Sequence, residues 1–270
     1  TDAVTSFSTR ATDDPADALK GADFVVFSIE PGPTQMRYAD LVIPEKYGIL
    51  QTVGDTIGPG GLFRALRAVP LKAHYARLIA EHCPDAWVIN YTNPMTLCTA
   101  ALYETVPDIK AFGCCHEVFG IQSRLGDLVA EWFDVPKPPR HDIRLDISGV
   151  NHFTLATGAW WHDHDLMPRL AELIAREDFF AELSGVAKKR KEQEQWFHCD
   201  GLVAFDFLRR FGVLGAAGDR HLMEFVPWYL LSDAEIHRWG VIRTPFEWRV
   251  RRMDDHIRQP EQFKEDGLQP

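Results

Sequence analysis

Three short apolar runs, separated by stretches with helical spacing, predict an α/β fold built on a parallel sheet. The runs occupy residues 24–29, 86–90 and 109–112 and are rich in Val, Ile, Phe and Trp. Residues 62–83 carry apolar residues at helical spacing, Leu62, Phe63, Leu66 and Val69, then Ala73, Ala76, Leu78 and Ile79, and residues 95–104 read as a second helix. Strand, helix, strand, helix, strand implies a doubly wound parallel sheet, here incomplete. Residues 1–16 are polar, and 17–23 read as the end of a helix followed by a turn. Glu30-Pro-Gly-Pro33 closes the first run, and a loop rich in Gly follows, ending in Gly54-Asp-Thr-Ile-Gly-Pro-Gly-Gly61. Beyond the third run, 117–132 is helical, 142–148 alternates as a half-exposed strand, and 155–161 is a further strand. Residues 165–195 read as helical, with 188–194 a charged, solvated face, and 202–211 as an apolar helix. From 247 the chain is charged and helical, then loses its pattern. The second half is therefore α+β.

Composition narrows the function classes. The 270 residues are 46% hydrophobic and 25% charged, as in a globular protein. With 29 basic against 39 acidic residues the net charge is −10, which argues against a nucleic-acid or anionic-membrane binder. No run of about 18 apolar residues suggests a membrane span. Five cysteines, two of them adjacent, fit a reduced cytoplasmic protein better than a disulfide framework.

In doubly wound sheets ligands bind beyond the carboxyl ends of the strands. Three polar groups fall there: Ser28 to Glu30, Asn90 to Asn93, and Cys115-His116. The last belongs to Gly113-Cys-Cys-His-Glu-Val-Phe-Gly120, where two thiols, an imidazole and a carboxylate stand between glycines. Thiolate and imidazole suit a divalent transition metal, and Cys and His also serve as acids, bases and nucleophiles. A second polar insertion, Asn151-His152, stands at a strand junction. No Gly-x-Gly-x-x-Gly turn precedes Phe24, and the chain opens with Thr partway into an α/β unit, so it reads as a fragment of a longer protein.

Ile43-Pro-Glu-Lys-Tyr-Gly48, Gly54-Asp-Thr-Ile-Gly-Pro-Gly-Gly61, Asn90-Tyr-Thr-Asn-Pro94, Cys115-His116, Gly149-Val-Asn-His152, and His221 with Glu224-Phe-Val-Pro-Trp228 together resemble the NAD-dependent family-4 glycoside hydrolases. Cys115-His-Glu-Val118 with Asn151-His-Phe-Thr154 looks like the α-galacturonidase subgroup. The resemblance implies an incomplete Rossmann-like domain at 1–115 and a truncated substrate and metal domain at 116–270, with a lactate/malate dehydrogenase-like fold. It implies NAD and Mn2+ as cofactors, a small galacturonide as substrate, and a homodimer or homotetramer. In this family NAD+ takes hydride from C3 of the sugar, the C2 proton becomes acidic, the glycosidic oxygen leaves, water adds at C1 and the hydride returns. This chemistry lies outside two-carboxylate glycoside hydrolysis.

Carried over by position, Cys115 and His152 match the metal ligands. Asn93 matches a substrate-binding Asn, Arg37 a substrate-binding Arg, and Asp55 the acidic residue that supports the base. His116 stands where some relatives carry an acidic proton donor; it either protonates the leaving oxygen or is an oriented structural imidazole. Asn151 is assigned to substrate, and Ser28, Glu30 and Asn90 to the cofactor. The pattern departs at the base: relatives have Tyr after a Phe-Gly pair, whereas Val213 follows Phe211-Gly212 here. Asp219 and His221 are the nearest ionisable replacements, Asp219 being preferred, and metal-bound water is a further reading. Arg220 is assigned to the uronate carboxylate, because a planar guanidinium suits bidentate binding; a surface Arg–Glu pair is the other reading. Glu117 is expected to orient a ligand or bind a hydroxyl. The competing functions are a family-4 α-galactosidase or α-glucosidase, a 2-hydroxy-acid dehydrogenase on the same sheet, and an inactive fragment.

Overall fold

The structure is a computed structural model describing residues 8–176, 178–180 and 186–251, with 186–188 described by backbone only. In chain order the elements begin α1 (Pro15–Leu19), β1 (Phe24–Phe27), α2 (Thr34–Glu45), α3 (Gly58–His82), β2 (Trp87–Asn90), α4 (Met95–Thr105) and β3 (Lys110–Gly113). They continue α5 (Glu117–Phe133), β4 (Ile143–Val150), β5 (Phe153–Trp161), β6 (His164–Asp165), α6 (Met167–Ile174), α7 (Val186–Glu192), α8 (Leu202–Phe211), β7 (Leu214–Gly215), α9 (Asp219–Phe225) and α10 (Asp233–Arg238). The chain divides into two compact units, one formed by 1–31 and 64–114, the other by 32–63 and 115–270.

In the first unit β1, β2 and β3 form a parallel sheet in that order, with Phe24 opposite Trp87 and Trp87 opposite Lys110. Sequential order with right-handed crossovers puts both connecting helices on one face, as in one half of a doubly wound sheet. That face carries Phe27, Val88 and Ala111, which pack with Ala76 and Ile79 of α3 and Leu102 of α4. The opposite face carries Phe24, Val26, Trp87 and Phe112, all exposed. The three apolar runs became strands because each supplies alternate residues to the buried face.

The second unit holds an antiparallel sheet in the order β4-β5-β6, with β7 on β5. Its core joins α5, α6, α8 and α9 through residues such as Leu125, Leu170, Phe205 and Leu222. The register of β4 on β5 shifts between Asp146 and Ile147, a β-bulge in the pair. The helical reading of 165–195 resolves into α6 and α7, and the charged tail from 252 onward lies outside the described residues.

One expectation is corrected. The loop expected over 34–45 is instead α2, with Pro44 inside it. Proline has no N–H to give the carbonyl four residues back. Here that carbonyl, Asp40 O, accepts instead from Gln51 Nε2 at 2.8 Å, so the helix runs through its breaker. Gln51 Oε1 in turn accepts from Gly60 N at 2.9 Å in the first turn of α3. Gly61 is needed in that turn, since a Cβ there would lie 2.3 Å from the Thr56 backbone.

Candidate active site

The site of the second unit is built around a tight hairpin. Val150 pairs with Phe153, so Asn151 and His152 are the two loop residues between β4 and β5. His152 takes φ +68°, a left-handed conformation that non-glycine residues seldom adopt. Gly149, at φ +121°, admits no side chain because a Cβ would meet Phe153 O at 2.3 Å. Glu117, the first residue of α5, holds the turn with both oxygens. Its Oε2 accepts from His152 N at 2.7 Å and its Oε1 from Asn151 Nδ2 at 3.1 Å. The carboxylate also sits where the helix dipole favours negative charge.

This turn brings Cys115 and His152, 37 residues apart in sequence, to a sulfur–Nε2 distance of 3.6 Å. On the other side of the ring, Thr56 Oγ1 lies 2.7 Å from His152 Nδ1 and donates to Asp55 Oδ1 at 2.8 Å. His221 of α9 stacks on His152, with ring centroids 3.6 Å apart and planes 21° from parallel. Asp55, His152 and His221 present ligand atoms all within 4.8 Å of one another. Burial pushes both imidazoles toward the neutral form, and it raises the Cys115 thiol. The Nδ1 of His221 and the Oδ1 of Asn151 are buried with no hydrogen-bond partner.

The loop that carries Asp55 and Thr56 is tied down by Glu224. Its Oε1 accepts from Val53 N at 2.7 Å and Gly54 N at 2.9 Å, and burial pushes its carboxyl up to about 7. Arg37 on α2, Arg220 on α9 and Arg249 lie close enough for their charges to oppose one another. Burial is the first cause that lowers Arg220 to about 10 and Arg249 to about 9; at Arg249 the charges of Arg37 and Arg220 come next, whereas at Arg220 the nearby Glu224 and Asp55 oppose the shift and Arg37 adds to it least. Arg249 Nε is buried and has no partner.

Other expected residues have different duties. Asp219 is inside the core and caps α8, accepting from Ala204 N at 3.1 Å; burial pushes its carboxyl up to about 6. Arg220, expected at a substrate carboxylate, donates from its two terminal nitrogens to Trp196 O, Thr52 O and Thr244 Oγ1 at 2.6 to 2.9 Å, which ties down the loop, while its Nε is buried with no hydrogen-bond partner. His116 is exposed at the N-cap of α5.

In the first unit, Ser28 and Glu30 are exposed just beyond β1, and Glu30 pairs with Arg64. Arg64 Nε also donates to Asn93 O at 3.0 Å. Asn90 is fully buried at the end of β2. Its Nδ2 donates to Thr92 O and Met95 O while its Oδ1 accepts from Thr92 N, so it builds the turn that holds Asn93. Thr56, Glu224 and Arg249 were not assigned a role from sequence. Thr56 and Glu224 had a signal as members of matched motifs, whereas a lone charge such as Arg249 carries no pattern.

The family is now settled by comparison. Residues 2–131 match the family 4 glycosyl hydrolase model and residues 147–267 its C-terminal domain, so the chain belongs to family 4 of the glycosyl hydrolases. An alpha-galacturonidase from Thermoanaerobacter italicus is 44% identical over 93% of this chain and 54% of its own length. Another from Bacillus subtilis is 46% identical over 86% of this chain and 51% of its own. The chain thus spans about half the length of the curated relatives it matches. Among solved structures, lplD from Bacillus subtilis superposes with a TM-score of 0.82 at 39% identity, over 94% of this chain and 57% of that one. A 6-phospho-alpha-glucosidase from gut microorganisms, in complex with NAD and Mn2+, shares the fold at 21% identity and a TM-score of 0.61, over 82% of this chain and 47% of that one. No helix among the described residues is long and apolar enough to cross a membrane.

Proposed function

We propose that the chain is part of an NAD- and Mn2+-dependent glycosidase that cleaves α-galacturonides. The observation that carries this reading is the Cys115–His152 pair, a thiol and an imidazole turned toward each other in a member of family 4. Sulfur and nitrogen donors suit a divalent first-row transition ion. The unpartnered His221 Nδ1 and Asn151 Oδ1 beside them leave polar valence for a substrate. Cys115 and His152 would hold the metal, and Ser28 and Glu30 would face the dinucleotide. Bound there, the metal supplies Lewis-acid polarisation and NAD+ a hydride acceptor. Glu117 fixes the hairpin so that His152 keeps its direction. His116, exposed at the N-cap, is assigned proton delivery to the leaving oxygen. Asn93 and Asn151 are assigned to sugar hydroxyls. The substrate's acid group is supported by the arginines: Arg220 and Arg249, each with an unpartnered Nε, and Arg37 are assigned the uronate carboxylate. Two relatives named alpha-galacturonidase support the same sugar.

Turnover in D2O tests the chemistry. Galacturonide hydrolysed with NAD+ and Mn2+ should release galacturonate carrying deuterium at C2. Product without that label would remove the oxidation–elimination route. A p-nitrophenyl α-galactoside cleaved as fast as the galacturonide would remove the acid-sugar assignment and leave the family chemistry standing.

A further inference from the structure

The hydrogen bonds behind His152 run in one direction. Thr56 donates its single hydroxyl proton to Asp55 Oδ1 at 2.8 Å. The Thr56 oxygen is then left as an acceptor, 2.7 Å from His152 Nδ1. Nδ1 must therefore carry the ring proton, and Nε2 keeps its lone pair, turned toward Cys115 Sγ at 3.6 Å. Asp55 itself cannot do this directly, because its Oδ1 stands 3.9 Å from Nδ1. Nor does His221 compete for the same edge: it lies flat against the ring face, and two nearly parallel rings 3.6 Å apart cannot both aim a nitrogen in-plane at one ion.

We propose that Thr56 is the positioning residue of the metal site: it fixes the tautomer and rotation of His152 by relaying the Asp55 carboxylate, and so sets the affinity of the Cys115–His152 pair for a divalent metal. The inference rests on the metal reading above. The relay is the hydroxyl-extended form of a carboxylate–histidine–metal arrangement, in which the outer partner orients the ring and raises its basicity. His152 needs such a partner more than most ligands. Its backbone is left-handed and its ring is buried, and apart from Cys115 it is held by the Glu117 bond to its N–H and the stack on His221.

Cobalt binding to the 270-residue chain tests this without any catalytic assay. Co2+ bound by Cys115 gives a near-ultraviolet thiolate charge-transfer band whose titration yields an affinity. Thr56→Val keeps the shape and removes the relay, and should weaken Co2+ binding by roughly 10- to 100-fold. Thr56→Ser keeps the hydroxyl and should restore it. Equal affinity in wild type and Thr56→Val overturns the inference and leaves the metal reading intact. Weak binding that Thr56→Ser does not rescue also overturns it, because the hydroxyl is then not the active feature. Absence of the band in the wild type overturns the metal reading and the inference with it. If Thr56→Val fails to fold, long-range 1H–15N spectra of the metal-free wild type still decide: a protonated Nδ1 on His152 supports the relay, and a protonated Nε2 overturns it.

Discussion

Lys72 shows how single residues in the first unit are placed against their solvation preference. It is 1% exposed on α3, its Nζ lying 3.6 Å over the Phe27 ring and 3.2 Å from Thr92 Oγ1. Burial lowers its pKa to about 8, the nearby Cys98 only partly opposing this. The unfolded chain keeps the proton up to 10.5, so between about 8 and 10.5 the unfolded state binds more protons and stability rises with pH. Below about 8 both states are protonated and the cost of the buried charge is constant. Lys72→Met removes that cost, set against a lost hydrogen bond. The variant should gain roughly 1–3 kcal/mol over wild type at neutral pH, the advantage shrinking through the alkaline range. Urea unfolding of both proteins across that range checks it; a pH-independent difference would refute the buried charge.

At the scale of elements, legibility followed the kind of force involved. The strands of the first unit could be read because burial of alternate residues leaves runs such as Phe24–Phe27 in the sequence. The helix α2 could not, because what rescues it is Gln51, a side chain outside the helix and without any pattern. The same holds at the site. Cys115 and His152 were named through resemblance. The parts that orient them, Thr56 and the hairpin grip of Glu117, depend on a hydroxyl direction and a turn geometry that spacing does not reveal. Gln51 bridges two elements at once, Asp40 O of α2 and Gly60 N of α3, and both partners are buried. Gln51→Ala should therefore cost about 1–3 kcal/mol through two stranded backbone groups, read as a lower urea midpoint. A loss below about 0.5 kcal/mol, the size of an ordinary surface change, would mean that water replaces the bridge.

At the scale of the whole chain, the sheet of the first unit is covered unequally. Its strand order puts both crossover helices on the face of Val88 and Ala111, while Phe24 is 67%, Val26 59%, Trp87 49% and Phe112 43% exposed on the other. These four residues belong to three adjacent strands and share one side by register, so they form a contiguous apolar surface rather than scattered exceptions. Surfaces of that kind are uncommon on free globular chains, because water must be ordered over them or another apolar surface must displace it. The 270-residue chain should bind an environment-sensitive dye such as anilinonaphthalene sulfonate, with a several-fold rise in emission. Replacing Phe24 and Val26 together by Thr keeps strand-forming side chains while making the face polar. That variant should lose most of the emission and keep its unfolding midpoint, because neither side chain contributes to the core of α3 and α4. Unchanged emission would place the dye elsewhere; a collapsed midpoint would mean that the face is packed in solution, and the unequal covering of the sheet would then be wrong.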